Sequence, residues 1–196
     1  MDEPKASRRD VTKAQNREVI LAAARLVFAQ MGFAKATVRD VIRATPLASG
    51  TFYNYFKSKE EVYQALRDDM ALAMRPALRE ARLASDTVEE FLASGFRTFF
   101  AFTVTQRSET AAVETSRFRM DSPEVLAGFA ELREDIEAAM AHGLLPAVDS
   151  TLLMGSIAGV AFELGEQVKS GADVEQACRF ATALFLGGLG ALPPKA

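Results

Sequence analysis

The sequence predicts an all-α protein of about nine helices. Its apolar residues recur at helical spacing along almost the whole chain, and no long segment alternates apolar and polar residues as a strand would. Residues that favour helix starts stand before most of the apolar stretches. The chain has 196 residues, of which 49% are hydrophobic and 25% charged, so it can form one or two domains with a real core.

The first 60 residues contain three of the predicted helices. Thr12 and Gln15 have the spacing of a capping box, and an apolar stripe follows them. A short second helix begins at Thr37 and ends at Pro46, and a third spans roughly residues 49–55. Two short helices separated by a four-residue turn indicate a helix-turn-helix, a unit that places its second helix in the major groove of DNA.

Charge is distributed unevenly along the chain. Residues 1–67 contain twelve Lys and Arg against seven Asp and Glu, whereas residues 68–196 contain eleven against nineteen. The overall net charge of −3 does not indicate a nucleic-acid partner. The basic N-terminal part does indicate a nucleic-acid partner, and the acidic remainder is expected to face something other than nucleic acid.

Three motifs follow one another in the N-terminal part. They are ILAAARLVFAQMGF at 20–33, TVRDV at 37–41 and GTFYNYFKSKE at 50–60. Together they resemble the tetracycline-repressor family of transcriptional regulators over about residues 16–63. The resemblance implies a DNA-binding domain at 1–60 and a helical effector-binding and dimerisation domain at 61–196. It further implies a homodimer that binds a palindromic double-stranded DNA operator and is released by a small, largely hydrophobic effector. A single cysteine can form no internal disulfide, which fits a reducing cytoplasm.

The motifs also imply which side chains contact DNA. Arg8 and Arg9 belong to a basic arm before the first helix, and an asparagine on the third helix is suited to a bidentate contact with adenine. Contacts to the DNA backbone are expected from Thr37, Thr51, Tyr53, Tyr55 and Lys59, contacts near base edges from Arg39, Ser49 and Asn54, and close approach at Gly50. Two alternatives stay open, namely that Tyr53 is partly core and that Arg39 is only a surface charge.

The turn before the third helix departs from the family pattern. The family usually has a glycine there, followed by an apolar residue and a serine cap, whereas this chain has Pro46-Leu47-Ala48-Ser49. Proline fixes φ near −65°, which excludes a positive φ at that position. Alanine has no side chain that can cap a helix, so the cap is expected to move to Ser49.

Beyond about residue 70 the resemblance fades, and the assignments rest on residue chemistry. Aromatic residues and a few polar side chains in apolar stretches are candidates for an effector pocket, with plain core packing as the alternative. The candidates are Phe96, Phe99, Phe100, Thr103, Arg117, Phe118, Phe129, His142, Phe162 and Glu163. For His142, capping of a helix C-terminus is the alternative.

The last two long helices are apolar almost all round, so they must be buried. In the family the corresponding helices pair with those of a second subunit, and burial within one chain is the alternative. The expected dimer seam contains Gly155, Gly159, Phe162, Phe180, Leu184 and Gly188.

Other classes of protein fit the sequence less well. No nucleophile elbow, phosphate loop or metal-ligand cluster occurs, so we expect no enzyme, no cofactor and no metal. Cys178 is the only cysteine and is expected to be a buried thiol. The N-terminus lacks a signal peptide, and the longest apolar run is too short to span a bilayer. Two alternatives remain open. The protein binds DNA without responding to a small-molecule effector, or it activates transcription instead of repressing it.

Overall fold

The structure, a computed structural model, describes residues 8–105 and 122–189 and places them in eight α-helices. The helices are α1 (Arg8–Met31), α2 (Val38–Arg43), α3 (Ser49–Tyr53), α4 (Lys59–Leu83), α5 (Val88–Thr105), α6 (Pro123–Ala141), α7 (Ser150–Lys169) and α8 (Val174–Leu189). No strand occurs within these ranges, and the all-α prediction is confirmed. The helix predicted at about 109–118, with Arg117 and Phe118, lies outside the described residues.

Two of the predicted helix bounds are corrected. The first helix begins at Arg8 instead of near Thr12, because the residues between these positions include no glycine or proline that would prevent helix formation. The third helix ends at Tyr53, two residues earlier than predicted, and Asn54 is its C-cap. Gly32 ends α1 with a φ of 75°, a conformation that glycine adopts without strain.

The described residues divide into two compact units, one of residues 8–67 and one of residues 68–105 and 122–189. Every helix of the first unit contributes at least one fully buried side chain to its core. Phe28 of α1, Val41 of α2, Phe52 of α3 and Val62 of α4 are all at most 1% exposed. Because α2 and α3 are too short to be stable alone, these contacts hold them in place.

The core of the second unit is rich in aromatic residues. Phe96 stacks on Phe100 and on Phe185, with ring centroids 6.0 and 5.9 Å apart. Cys178 is buried beside them and donates a hydrogen bond of 3.4 Å to the carbonyl of Ala93. Burial raises the pKa of this thiol, which is the behaviour expected of a structural cysteine.

No helix among the described residues is long and apolar enough to cross a membrane.

Candidate nucleic-acid interface

The start of α2 is fixed by a reciprocal capping box between Thr37 and Asp40. The Thr37 hydroxyl accepts a hydrogen bond from the Asp40 amide, and the Asp40 carboxylate accepts one of 3.0 Å from the Thr37 amide. The same carboxylate accepts a bond of 2.6 Å from the Thr37 hydroxyl. The two bonds that the Asp40 carboxylate accepts lower its pKa, and the bond from the Thr37 hydroxyl contributes most. The nearby positive charge of Arg43 lowers the pKa further. The hydroxyl proton of Thr37 is therefore already donated within the capping box. A DNA contact by Thr37 stays a prediction.

The turn between α2 and α3 is held by Thr45 and Leu47. The Thr45 hydroxyl donates to the carbonyl of Ile42 at 2.8 Å and accepts from the amide of Leu47 at 3.2 Å. Leu47 packs against the core of the first unit. These contacts fix the path of the chain into α3 without the glycine that the family usually has there.

The expected cap at Ser49 is wrong. The N-cap position of α3 is Ala48, which has no side-chain hydrogen bond to the helix, and Ser49 is already the first helical residue. The Ala48 backbone is extended, with φ −68° and ψ 148°, and its carbonyl accepts from Thr51 at 2.8 Å. The helix is held instead by burial of Phe52, which is 1% exposed.

One side of α3 is open to solvent. Ser49, Gly50, Tyr53 and Asn54 are exposed, and Tyr53 is 57% accessible, so it is not part of the core. A Cβ added to Gly50 would meet nothing within 4 Å, which leaves room for a close approach from outside. Thr51 and Tyr55 are half-buried, and Tyr55 packs against the core. The arrangement is a short polar surface on a helix whose other side is anchored.

Two kinds of basic residue accompany this surface. Arg39 and Arg43 are exposed on α2, and the Arg43 guanidinium is 4.0 Å from Asp40. Arg8 and Arg9 are the first two residues of α1, and their side chains lie outside the described part of the chain. The prediction that these two arginines precede the first helix is therefore wrong, whereas their contact with DNA stays a prediction.

Lys59 has a role that the sequence did not indicate. Its ammonium donates to the carbonyls of Phe33, Ala34 and Ala36 at 2.8, 3.3 and 2.9 Å. It also lies 4.5 Å from the centre of the Phe33 ring. The acceptors are backbone atoms about 25 residues away, so no side-chain pattern could have revealed them. The predicted phosphate contact of Lys59 is not tested by these bonds and stays a prediction.

Four of the predicted effector residues come together in the second unit. The ring of Phe162 meets those of Phe99 and Phe129 edge to face, at 5.4 and 6.1 Å. Thr103 follows Phe99 by one turn and donates to its carbonyl at 2.9 Å. Gly165 lies against this group, since a Cβ there would be 2.9 Å from the Phe99 ring. We call Phe99, Thr103, Phe129 and Phe162 the aromatic cluster.

The other predicted effector residues in the described part of the chain are not members of this cluster. Phe96 and Phe100 belong to the core around Phe185, and the Phe100 ring also meets that of Phe99 edge to face at 6.0 Å. His142 is exposed at the C-cap of α6, where its Nδ1 is 2.8 Å from the carbonyl of Ala138, as the capping alternative requires. Glu163 is exposed and accepts a hydrogen bond from Gln167 at 3.5 Å.

Two helices of the second unit expose an apolar face. The large side chains on it are Leu152, Phe180 and Leu184, which are 71, 61 and 51% accessible. The exposed glycines on the same two helices are Gly155, Gly159, Gly187 and Gly188. The half-buried ring of Phe162 packs in the aromatic cluster, and its assignment to the dimer seam stays a prediction. The sequence did not indicate that Leu152 lies on this face, because nothing distinguishes it from the other leucines of an apolar helix.

The comparisons with known proteins agree with the helix-turn-helix geometry. Residues 20–66 match the sequence profile described as bacterial regulatory proteins, tetR family. Residues 20–66 therefore form a DNA-binding domain of this family. The match covers the helix-turn-helix, which is the DNA-binding element of such regulatory proteins.

Individual relatives give the extent of the similarity. An uncharacterized HTH-type transcriptional regulator of Haemophilus influenzae is 29% identical over 95 residues, which are 48% of this chain and 46% of that protein. The HTH-type transcriptional repressor KstR2 of Mycolicibacterium smegmatis is 41% identical over 56 residues, 28% of this chain and 27% of its own. The chain thus aligns with less than half the length of these tetR-family relatives.

A solved structure extends the similarity of fold to most of the chain. The fatty acid degradation regulator FadR from Bacillus halodurans superposes with a TM-score of 0.67 and 24% identity, covering 89% of this chain and 96% of that one. At this identity the superposition establishes the fold alone. Both parts of the chain are therefore included in the shared fold.

Proposed function

We propose that this tetR-family regulator is a repressor that binds a palindromic operator as a homodimer and is released by a small, largely hydrophobic effector. The observation that carries the proposal is the solvent-exposed polar side of α3, on a helix anchored by Phe52 and preceded by a capped α2. In a helix-turn-helix this second helix is the one that enters the major groove.

The proposed DNA-binding domain comprises residues 1–60. Tyr53, Tyr55 and Thr51 bind phosphates, and Asn54, Ser49 and Arg39 lie near base edges. Exposure supports Tyr53, Asn54, Ser49 and Arg39 in these roles, and the open space at Gly50 supports close approach of the DNA backbone. Phosphate contacts orient the protein on the duplex, whereas the contacts to base edges select the sequence.

Dimerisation belongs to the proposed domain at 61–196. Three large apolar side chains on α7 and α8 are more than half exposed, and glycines beside them permit close helix approach. An exposed apolar face of this kind is unusual for a monomer and typical of an interface. A two-fold dimer places two copies of α3 about 34 Å apart, which corresponds to one turn of DNA.

The effector is proposed to bind at the aromatic cluster. Three phenylalanine rings and one threonine hydroxyl provide an apolar surface with one polar group, which suits a small hydrophobic molecule. Such a molecule releases DNA only if it binds one conformation of the dimer more tightly than the other.

Selection of bound fragments from sheared DNA of the source genome tests the proposal. We expect a few fragments that share an inverted repeat with half-sites one helical turn apart, bound by two protomers per duplex. Recovery of all fragments in proportion to their abundance would contradict sequence-specific binding. A thermal-shift screen of small apolar compounds then tests the effector, since a compound that raises the midpoint must also weaken binding to the selected fragment.

A further inference from the structure

Lys59, the first residue of α4, has all of its hydrogen-bonding capacity satisfied inside the first unit. An ammonium has three N–H donors and no acceptor. Here it faces three backbone carbonyls, those of Phe33, Ala34 and Ala36, at 2.8–3.3 Å. The Phe33 ring centre lies 4.5 Å from the ammonium and adds a cation–π contact.

These acceptors lie in the segment that connects α1 to α2. Ala36 directly precedes Thr37, the N-cap of α2, and Phe33 packs against Phe28 and Tyr63 at ring separations of 5.3 and 5.1 Å. Lys59 therefore joins the beginning of α4 to the end of α1 and to the residue before α2. Because α3 lies in the chain between α2 and α4, both ends of the helix-turn-helix are held by this one side chain.

We propose that Lys59 is a positioning residue, which fixes the α1–α2 connection relative to the start of α4 and does not itself bind a DNA phosphate. The inference rests on the proposed DNA-binding function, but it gives Lys59 a different role from the residues of α3, which are proposed to contact DNA directly. Lys57, two residues earlier, is exposed and has the same charge, so it is the matched control.

The test compares the wild type with Lys59→Met and Lys57→Met. Methionine keeps an unbranched stem and removes the ammonium. DNA affinity is measured as a function of salt concentration, because loss of one phosphate contact makes the slope of log affinity against log salt shallower by about one unit. For Lys59→Met we expect a several-fold weaker affinity with an unchanged slope. We also expect a lower thermal midpoint and faster hydrogen exchange at residues 36–41.

Lys57→Met should leave the thermal midpoint and the exchange of residues 36–41 unchanged. A slope shallower by one unit for Lys59→Met, with normal stability and normal exchange, would overturn the proposal. If the wild type bound no DNA at all, the proposed function would fail, while the midpoint and exchange measurements would still test the positioning role.

A measurement on the wild type covers the case in which Lys59→Met does not fold. Brief labelling of lysine amines with an acylating reagent should modify Lys57 readily and Lys59 much more slowly, with DNA absent. Equal labelling of the two lysines in the free protein, followed by protection of Lys59 when DNA is added, would overturn the proposal.

Discussion

Arg82 of α4 and Asp135 of α6 form a buried ion pair in the second unit. Two guanidinium nitrogens of Arg82, Nε and Nη2, donate to one oxygen of Asp135 at 2.8 and 2.6 Å. Their side chains are only 7 and 2% accessible. A second arginine on the same face of α4, Arg75, donates two hydrogen bonds to Glu131. The two helices are thus joined by charged pairs.

Removal of one partner of the buried pair should strongly destabilise the second unit. Asp135→Ala leaves the Arg82 charge buried without a partner, which typically costs about 3–5 kcal/mol. Urea unfolding followed by circular dichroism measures the loss. Glu134→Ala is the control, because its pair with Arg79 is 3.8 Å long and largely exposed, and such pairs contribute at most about 1 kcal/mol. Equal losses for the two variants would contradict this account of Asp135.

The capping box of α2 predicts a pH effect at Asp40. Hydrogen bonds from Thr37 lower its pKa in the folded state. The stabilisation is therefore fully present above the ordinary pKa of an aspartate and is lost as the pH falls through the lowered value. Thr37→Val removes the hydroxyl that contributes most, so the pKa of Asp40, followed by NMR titration, should move upward. Thr45→Val is the control, since the Thr45 hydroxyl bonds only Ile42 and Leu47. An Asp40 pKa unchanged by Thr37→Val would show that the cap does not act as described.

The exposed apolar face of α7 and α8 predicts the effect of a charge at its centre. Phe180→Glu should convert the proposed dimer to monomers, because a carboxylate would have to be buried without a partner. Sedimentation equilibrium measures the mass. Leu126→Glu on α6 is the control, since Leu126 is 50% exposed but lies outside this face. A monomeric wild type, or a Phe180→Glu variant that remains dimeric, would contradict the proposed seam.

Gly165 predicts how closely α7 must approach the aromatic cluster. A Cβ at this position would lie 2.9 Å from the Phe99 ring, so Gly165→Ala must displace that ring. We expect a lower thermal midpoint and a change in the NMR signals of Phe99 and Phe162. Gly128→Ala on α6 is the control, because its Cβ would make ordinary contacts at 3.8 Å with Arg75 and would raise helix stability by up to about 1 kcal/mol. If Gly165→Ala stabilised the protein as much as Gly128→Ala, the close approach would not exist.

The features that the sequence predicts well are those with a local physical cause. The capping box at Thr37 and Asp40, the stop at Gly32 and the start of α6 at Pro123 follow from residues a few positions apart. Helix periodicity then predicts the all-α fold, because apolar stripes must face a core.

The features that could not be predicted from the sequence depend on contacts between segments that are far apart in the chain. Lys59 binds carbonyls about 25 residues away, and Arg82 meets an aspartate 53 residues away. Nor does an apolar helix reveal which of its faces points outward, so the sequence alone could not show that the ring of Phe162 packs against those of Phe99 and Phe129. The Ser49 cap was wrong for a local reason, since the chain becomes helical one residue earlier than a serine cap requires.

The central claim is that the exposed side of α3 recognises DNA, and a base-substitution series on the selected operator tests it most directly. Affinities of the wild type, Asn54→Ala and Tyr53→Phe are measured on the operator and on variants with one symmetric base-pair change each. Asn54→Ala should lose about 1–3 kcal/mol of discrimination at one pair of positions, whereas Tyr53→Phe should weaken binding to all sequences equally. If both variants bound every sequence as the wild type does, α3 would not be the element that recognises DNA.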